Sequence, residues 1–222
     1  STSEQVINAV KTAIDTGYRH IDTAQVYGNE KDVGQAIKEK IAEGKIKRED
    51  VFLYPTFSRP ENVCEAMAQS LSDLGLDYVD LYLIHSPINF KVELHPYLAQ
   101  QDLVDFCKKN NILLTAFSAL GAPARPKVFA SGEEEPVLME DPSVVAIAKK
   151  YGKSAAQVLL RYHLDRGVSV IPKSVTPSRI QANFDIMDFS LSKEDLASLG
   201  QLDRKLRYVG ANLFVTHKYY SY

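Results

Sequence analysis

Short apolar runs alternate with segments of helical periodicity along this chain, and that alternation limits its fold more than any other feature. Six runs have the length and composition of strands. They lie at residues 20–24, 51–54, 79–85, 92–95, 112–118 and 168–173. The segments between them place apolar residues three and four positions apart, as an amphipathic helix does. Strands separated by helices pair in parallel, so the sequence predicts an α/β fold, either layered or a (β/α)8 barrel.

The third and fourth runs lie too close together for neighbouring parallel strands. Only residues 86–91 separate them, whereas a crossover between parallel neighbours takes roughly a dozen residues or more. An ordinary βα unit therefore does not join these two strands. A closed (β/α)8 barrel also needs eight strands and about 250 residues, and this chain has 222 residues.

The charge balance and the apolar pattern exclude several classes of function. Lysine and arginine total 26 against 28 aspartates and glutamates, so the formal net charge is -2. That charge gives no general attraction to nucleic acid or to an anionic membrane. No apolar run approaches a membrane span, and no charged start precedes an apolar signal segment. We therefore expect a cytoplasmic protein.

The chain is expected to form one domain over residues 1–222, because 45% of its residues are hydrophobic and can fill a sizeable core. Cys64 and Cys107 both fall on helical patterns, which predicts small buried side chains in a reducing compartment. The five histidines are scattered and none pairs with a cysteine or histidine at ligand spacing. No metal site is predicted.

The segment 17–30, which reads GYRHIDTAQVYGNE, carries the most specific chemical pattern. Asp22 lies in a predicted buried strand, where a carboxylate without a partner costs several kcal/mol. Tyr27 follows on a polar turn, from which its hydroxyl can face a pocket. The segment resembles the aldo-keto reductase family, which has Gly-Tyr-Arg-His-Ile-Asp-Thr-Ala, then Tyr, then Asn-Glu at this spacing. Taken singly, a loop tyrosine or a buried aspartate is more often structural.

The resemblance implies a (β/α)8 TIM barrel that is incomplete in this sequence, with the first and fifth strands absent. Residues 85–91, HSPINFK, look like the segment after the family's fourth strand, and residues 92–97, VELHPY, look like its sixth strand. Within the latter, Glu93 and His95 are interpreted as structural. A naturally shortened molecule would expose sheet edges that favour aggregation. A sequence containing only part of the natural chain is favoured, because deleting strands would destroy the core of a closed barrel.

The resemblance also implies an enzyme that reduces a carbonyl with NADPH, a reaction that needs a hydride donor, a proton donor and polar groups around the oxygen. By motif, Tyr27 would donate the proton and Asp22 would orient and tune the site. His85, at the end of its strand, would hydrogen-bond the substrate oxygen. The family's catalytic lysine has no counterpart, since Thr56 or Pro55 stands nearest. If that absence is real, reduction should be severely slowed.

Two further motifs match parts of the family that hold NADPH. In IPKSVTPSRI, residues 171–180, a strand ends and a helix begins, and backbone N–H groups at a helix start favour anions. The resemblance assigns this turn to the adenosine 2′-phosphate, while TAFSALG, residues 115–121, would carry the ring that stacks on the nicotinamide. A solvated basic turn and a packed core phenylalanine are the alternatives. The predicted cofactor contacts are Asp22, Thr23, Phe117, Ser118, Leu120, Lys173, Ser174, Arg179 and Asn183.

The C-terminal tail, residues 206–222, is rich in tyrosine and phenylalanine, and in the family it closes the substrate pocket. The predicted substrate contacts are Tyr27, His85, Tyr208, Leu213 and Phe214, which suits a bulky apolar carbonyl such as a steroid ketone. We expect a monomeric NADPH-dependent aldehyde or ketone reductase of the alcohol dehydrogenase (NADP+) type. A non-catalytic NADPH-binding protein, structural or regulatory, is one alternative. A barrel enzyme of redox-neutral proton transfer is another.

Overall fold

The structure is a computed structural model that describes residues 1–57, 63–84, 91–123 and 135–209. Strands and helices alternate along these residues, as predicted. In chain order the elements are α1 Ser3–Thr16, β1 His20–Ala24, α2 Glu30–Ala42, β2 Phe52–Phe57, α3 Val63–Leu74, β3 Leu83–Ile84, β4 Lys91–Glu93, α4 Gln101–Lys109, β5 Thr115–Phe117, α5 Pro142–Tyr151, α6 Ala155–Asp165, β6 Ser169–Val170, α7 Pro177–Phe184 and α8 Lys193–Gly200.

The described strands form two parallel sheets of three strands each, in the orders β1-β2-β3 and β4-β5-β6. The chain divides into two compact units. The first contains Ser1–Phe90 with Lys173–Asp185, and the second contains Lys91–Pro172 with Ile186–Tyr222. The predicted α/β fold with parallel strands is therefore confirmed. Closure into a barrel, the absence of the first and fifth strands, and a single domain over 1–222 stay predictions.

The core of the first unit lies on one face of its sheet. Ile21 of β1 and Leu53 of β2 pack there against aliphatic side chains of α1 and α2. Helix α2 also approaches α3 very closely at Gly34, because a Cβ atom at that position would lie 1.9 Å from the carbonyl oxygen of Leu74. Glycine is therefore required at residue 34 by the packing of the two helices.

The core of the second unit contains two clusters of buried side chains. One cluster covers the sheet and includes Leu94, Ala116 and Val168. The other lies among α5, α6 and α8 and is dominated by the rings of Tyr97, Tyr162 and Tyr208. None of the helices in the described ranges is both long enough and apolar enough to cross a membrane.

The third predicted strand, residues 79–85, is much shorter in the structure, since β3 contains only Leu83–Ile84. Asp80 explains the difference. Its carboxylate accepts the backbone N–H of Leu53 at 2.8 Å and a guanidinium N–H of Arg48 at 2.9 Å, while its own N–H donates to the Leu53 carbonyl at 2.9 Å. The Asp80 side chain thus takes the place of a backbone carbonyl as the partner of the Leu53 N–H. The ladder between β2 and β3 therefore begins only at Leu83.

The prediction that both cysteines are buried was right for one of them. Cys107 on α4 is buried, whereas Cys64 on α3 is exposed. Only the later turns of α3 are buried, at Ser70 and Leu74, so the first turn that carries Cys64 faces solvent. The sequence pattern correctly predicts the helix, but it does not show how much of the helix another element covers.

Candidate active site

Asp22 and Tyr27 lie at the carboxyl end of β1, in the first unit. Asp22 is partly buried within the strand, and Tyr27 ends a single 3-10 turn, Gln25–Tyr27, that follows the strand directly. The turn closes at Gly28 with φ of 63°, a left-handed conformation that glycine adopts without strain. This local geometry presents the Tyr27 side chain outward, and 52% of it is exposed.

The β1–β2 ladder determines which side chains share a face with Asp22. Successive side chains of a strand alternate between faces, and Ile21 and Leu53 point into the helical core. Asp22 and its ladder partner Tyr54 therefore lie on the opposite face of the sheet. Thr56, two residues after Tyr54, lies on that face as well. Of the two residues nearest to the family's lysine position, the ladder thus puts Thr56 rather than Pro55 on the Asp22 side.

The hydroxyl of Tyr27 is a weak acid in this environment. Burial of the hydroxyl, and secondly the negative charge of Asp22, raise the pKa of Tyr27 to about 12. Because half of the side chain is exposed, solvent moderates both effects. Tyr27 consequently keeps its proton at neutral pH and holds it more firmly than an ordinary tyrosine does.

Tyr54 is a second phenol in this site, which the sequence analysis did not single out. It is 3% exposed, and the centre of its ring lies 4.8 Å from that of His20 and 6.1 Å from that of Phe52. Burial, and then the charges of Asp22 and Tyr27, raise the pKa of Tyr54 far above its usual range. The alternation of residues 52–57 was the available signal, because it puts residue 54 on the face of Asp22.

Thr23 and Thr56 both turn their hydroxyls to protein groups. The hydroxyl of Thr23 donates to Oδ1 of Asn29 at 3.0 Å, just before α2 begins. Thr56 Oγ1 lies 3.4 Å from the Thr23 carbonyl oxygen and is completely buried. The side chain of Thr23 therefore supports the start of α2, and its contact with the cofactor stays a prediction.

Three predicted site residues lie outside the described residues. They are His85, Leu213 and Phe214. The predicted meeting of the Tyr27 hydroxyl with the His85 ring therefore stays a prediction, as do the pocket contacts of Leu213 and Phe214.

The predicted phosphate-binding turn precedes α7 in the first unit. Pro177 begins the helix, and the hydroxyl of Ser174 accepts the backbone N–H of Thr176 at 3.1 Å. Lys173 and Arg179 are exposed, and among the described residues neither pairs with a carboxylate. Both cations are thus available to an anion beside the helix start.

Helix α7 is held against α1 through its later residues. The hydroxyl of Tyr18 donates to the Ile180 carbonyl at 3.3 Å, and the rings of Tyr18 and Phe184 lie 4.8 Å apart. Asn183, predicted to lie near the adenine, is buried on this helix. The helix start is therefore held in place, while Asn183 offers little surface to a ligand.

The predicted nicotinamide-side residues lie in the second unit, at the carboxyl end of β5. Phe117 ends the strand and is partly buried. Ser118 follows with φ of 53°, an uncommon left-handed conformation for a residue other than glycine. Its carbonyl accepts the N–H of Gly121 at 2.8 Å, which closes a tight turn through Leu120. Strand ends of this kind carry the catalytic loops of α/β enzymes.

Tyr208 is a core residue of the second unit, and its place in the substrate pocket stays a prediction. It is 2% exposed, its ring centre lies 5.0 Å from that of His95, and its hydroxyl donates to the Pro136 carbonyl.

The structural interpretation of Glu93 and His95 agrees with their contacts. The fully buried carboxylate of Glu93 accepts the backbone N–H groups of Tyr208 at 2.6 Å and Val209 at 3.2 Å. His95 Nε2 lies 3.1 Å from the same carboxylate. Glu93 therefore fixes residues 208–209 to the second unit, which explains why Tyr208 is packed so firmly.

Comparison with known proteins gives consistent matches over most of the chain. The sequence model of the Aldo/keto reductase family matches residues 1–91 and 87–204. Aldo-keto reductase family 1 member A1 of Xenopus tropicalis is 38% identical over 279 residues, covering 94% of this chain and 84% of the relative. Human Aldo-keto reductase family 1 member C3 and the Prostaglandin-E(2) 9-reductase of Oryctolagus cuniculus are each 36% identical over 289 residues, covering 98% of this chain and 89% of the relative.

These alignments also bear on the short spacing between the third and fourth strands. An alignment over 289 residues against a chain of 222 leaves at least 67 positions of the relative, the difference between the two lengths, without a counterpart here. The family model matches in two segments that meet at residues 87–91. This junction coincides with the place where the fifth strand is predicted to be absent. It also coincides with the boundary between the two compact units. These matches identify the chain as a member of the aldo-keto reductase family, oxidoreductases that reduce carbonyl groups and generally use NADP(H).

Proposed function

We propose that this protein is an NADPH-dependent carbonyl reductase in which Tyr27 donates the proton to the carbonyl oxygen. The observation that carries the proposal is the position of Tyr27 and Asp22 at the carboxyl end of β1, in a chain of this family. NADPH supplies the hydride that reaches the carbonyl carbon. The alkoxide oxygen takes its proton from the Tyr27 hydroxyl, so that the products are an alcohol and NADP+.

The residues before and within α7 fit the phosphate end of this cofactor. Lys173 and Arg179 are exposed cations beside a helix start, and Ser174 adds a hydroxyl. A phosphate monoester would be held there by charge-assisted hydrogen bonds. Phe117 and the turn after it, in the second unit, are the proposed contacts of the nicotinamide half. We infer a preference for NADPH over NADH, because NADH lacks the phosphate that these cations would hold.

The proton step is expected to be slow in this chain. Tyr27 must release a proton as the alkoxide forms, yet burial and the charge of Asp22 raise the pKa of Tyr27 to about 12. A nearby cation would lower this pKa, but the family's lysine has no counterpart in this sequence, where Thr56 or Pro55 stands nearest. His85, the proposed hydrogen-bond donor to the substrate oxygen, would favour the developing negative charge.

The proposed substrate is an aldehyde or a ketone, with a bulky apolar carbonyl favoured. Leu213 and Phe214, in the tail that closes the pocket in this family, are the proposed apolar contacts. One relative, the Prostaglandin-E(2) 9-reductase, is named for the reduction of prostaglandin E2. A monomeric (β/α)8 barrel formed as one domain, in the cytoplasm, completes the proposal.

A panel assay tests the proposed function. Native protein is mixed with NADPH and one of several aldehydes and ketones, and both NADPH loss and alcohol formation are measured. Stoichiometric formation of alcohol supports the proposal. NADPH loss without alcohol would indicate a different reaction.

A second candidate function is non-catalytic binding of NADPH in a structural or regulatory role. The threonine at position 56 and the firmly held proton of Tyr27 favour it. Quenching of protein fluorescence by NADPH, with no turnover on any member of the carbonyl panel, would select this function over reduction. A redox-neutral proton-transfer enzyme would instead convert its substrate without NADPH.

A further inference from the structure

The first residues of the C-terminal tail are bound to the second unit at successive points. The backbone N–H of Leu206 donates to the Tyr97 carbonyl at 3.0 Å. The backbone N–H groups of Tyr208 and Val209 then donate to the carboxylate of Glu93, the last residue of β4. Residues 206–209 therefore have a fixed position in this unit.

The Glu93 carboxylate takes most of its partners from this part of the tail. Its Oε1 accepts the N–H of Tyr208 at 2.6 Å, and the N–H of Val209 lies 3.2 Å from each of the two oxygens. Arg207 Nη1 lies 3.8 Å from Oε2, and His95 Nε2 lies 3.1 Å from Oε1. A carboxylate that is completely buried is costly unless donors surround it. The buried charge and the start of the tail therefore depend on each other.

Glu93 is also tied to the strand end that carries the proposed nicotinamide contact. Glu93 and Phe117 are ladder partners, and the N–H of Leu94 donates to the Phe117 carbonyl at 3.3 Å. One residue of β4 thus joins two features of the second unit, the end of β5 through its backbone and the start of the tail through its side chain. The tail consequently leaves this unit from a place that is set relative to Phe117.

We propose that Glu93 is a positioning residue for substrate selection, whose carboxylate fixes the point where the tail leaves the second unit and thereby determines how well a bulky carbonyl compound binds. The inference rests on the proposed carbonyl reduction and on the proposed contacts of Leu213 and Phe214. Phe214 follows Val209 by five residues, a stretch that spans at most about 18 Å. A displaced anchor would therefore displace the apolar contacts. Glu93 touches neither substrate nor cofactor in this account.

Glu93→Gln tests the proposal, because it keeps the size of the side chain and replaces one acceptor oxygen by an NH2 group. Since the N–H of Val209 lies equally close to both oxygens, either orientation of the amide sets a donor against a donor. We expect the KM of a bulky apolar ketone to rise about tenfold or more. The KM of a small aldehyde, kcat with both substrates and the dissociation constant of NADPH should change by less than about twofold.

Asp165→Asn is the matched control. Its carboxylate also lies in the second unit and accepts a backbone N–H, that of Leu191 at 2.8 Å, together with the side chain of Arg161 at 2.9 Å, but neither partner belongs to the tail. This variant should change the two KM values alike. Equal changes of the two KM values in Glu93→Gln, or no change in either, would overturn the proposal.

A double-mutant cycle with Phe214→Ala tests whether Glu93 acts through the tail. In the Phe214→Ala background, Glu93→Gln should raise the KM of the bulky ketone by less than about twofold, because the contact that the anchor positions is gone. A tenfold rise in both backgrounds would overturn the proposal, since the effect would then reach the substrate by another route.

Amide hydrogen exchange distinguishes a failure of this inference from a failure of the proposed function. In native protein the amides of Tyr208 and Val209 should exchange about as slowly as that of Val158, which is buried in α6. In Glu93→Gln their exchange should accelerate at least about tenfold more than that of Val158. Fast exchange of both amides in native protein, or equal acceleration at all three, would contradict the anchor independently of any activity.

The two proposals also separate in the assays of native protein. A native protein that reduces no carbonyl would overturn the proposed function, and amide exchange would still decide whether Glu93 anchors the tail. A native protein that reduces small aldehydes but no bulky ketone would overturn the inference about selection, while carbonyl reduction itself would stand.

Discussion

Oγ1 of Thr56 lies 3.4 Å from the carbonyl oxygen of Thr23, so the last part of β2 is fixed beside β1. The ladder pairs Thr56 with Ala24 and gives it the same face of the sheet as Asp22. A longer side chain at this position would begin on the face of the sheet that carries Asp22. Position 56 is therefore the place at which a cation can be added to the site.

Replacing Thr56 by lysine should raise the activity of the proposed reductase. A cation within about 4–6 Å favours the phenolate and lowers a tyrosine pKa by about 1–3 units. We expect Thr56→Lys to raise kcat at neutral pH at least about tenfold, measured as alcohol formed per enzyme. Thr56→Met, of similar length and without charge, is the control. Equal changes in kcat for the two variants would show that charge is not what limits the reaction.

Replacing Arg179 by alanine should weaken the binding of NADPH more than that of NADH. The exposed guanidinium stands on the first turn of α7, and its proposed partner is the 2′-phosphate, which NADPH carries and NADH lacks. Removing a charge-assisted hydrogen bond to phosphate should raise the dissociation constant of NADPH about tenfold or more. Fluorescence titration with each cofactor measures the effect. Lys193→Ala, which removes an exposed cation at the start of α8, should change neither constant.

The buried ring of His163 should make the protein less stable in acid. Burial, then the positive charge of Arg166 and the proximity of His95, lower the pKa of His163 to about 3. Within the described part of the chain neither ring nitrogen makes a hydrogen bond of good geometry, although the Leu94 carbonyl slightly favours the protonated ring. The unfolded chain takes up a proton below about pH 6.5, and the folded protein does not until about pH 3.

The stability contributed by neutral His163 is therefore present above about pH 6.5 and is lost as the pH falls toward 3. Between pH 7.5 and pH 5 the loss from this residue should be about 2 kcal/mol of unfolding free energy. Urea unfolding of native protein and of His163→Leu at both pH values isolates the contribution of His163 to the unfolding free energy, because the other titrating groups are common to both proteins. The same pH dependence in the two proteins would show that His163 does not titrate in this way.

Replacing Gly34 by alanine should destabilise the first unit. The added Cβ would lie 1.9 Å from the Leu74 carbonyl oxygen, so α2 and α3 would have to separate. Overpacking of this kind costs about 3 kcal/mol. Gly200→Ala is the matched control in a helix, because a Cβ there meets its nearest atom, the Tyr162 hydroxyl, at 3.9 Å. Urea unfolding should show a large loss for the first variant and none for the second.

Local signals in the sequence predict the helices of the second unit well. Helix α5 is bounded by such signals, because Asp141 accepts the N–H of Ser143, Pro142 fits the first turn, and Gly152 takes the left-handed conformation that stops the helix. Helix α8 begins in the same manner, because the hydroxyl of Ser192 accepts the N–H of Asp195.

Features that depend on distant partners were predicted less well. Strand β3 is short because the Asp80 side chain accepts a hydrogen bond from the Leu53 N–H. The two residues are 27 positions apart, so no local pattern contains this contact. The burial of Tyr208 depends on Glu93, which is 115 positions away. Tyr54 joins Asp22 only through the register of two strands. In the candidate site, the motif identified Asp22 and Tyr27, while the ladder was needed to find their neighbours.

The most direct test of the central claim, that Tyr27 supplies the proton for carbonyl reduction, is a single-turnover measurement on native protein and Tyr27→Phe. Each is loaded with NADPH, mixed with an aldehyde that the native protein reduces, and followed by the loss of NADPH and the formation of alcohol. We predict that Tyr27→Phe binds NADPH as tightly as native protein does and forms alcohol about 100-fold more slowly or worse. Alcohol formation at the native rate in Tyr27→Phe would contradict the account.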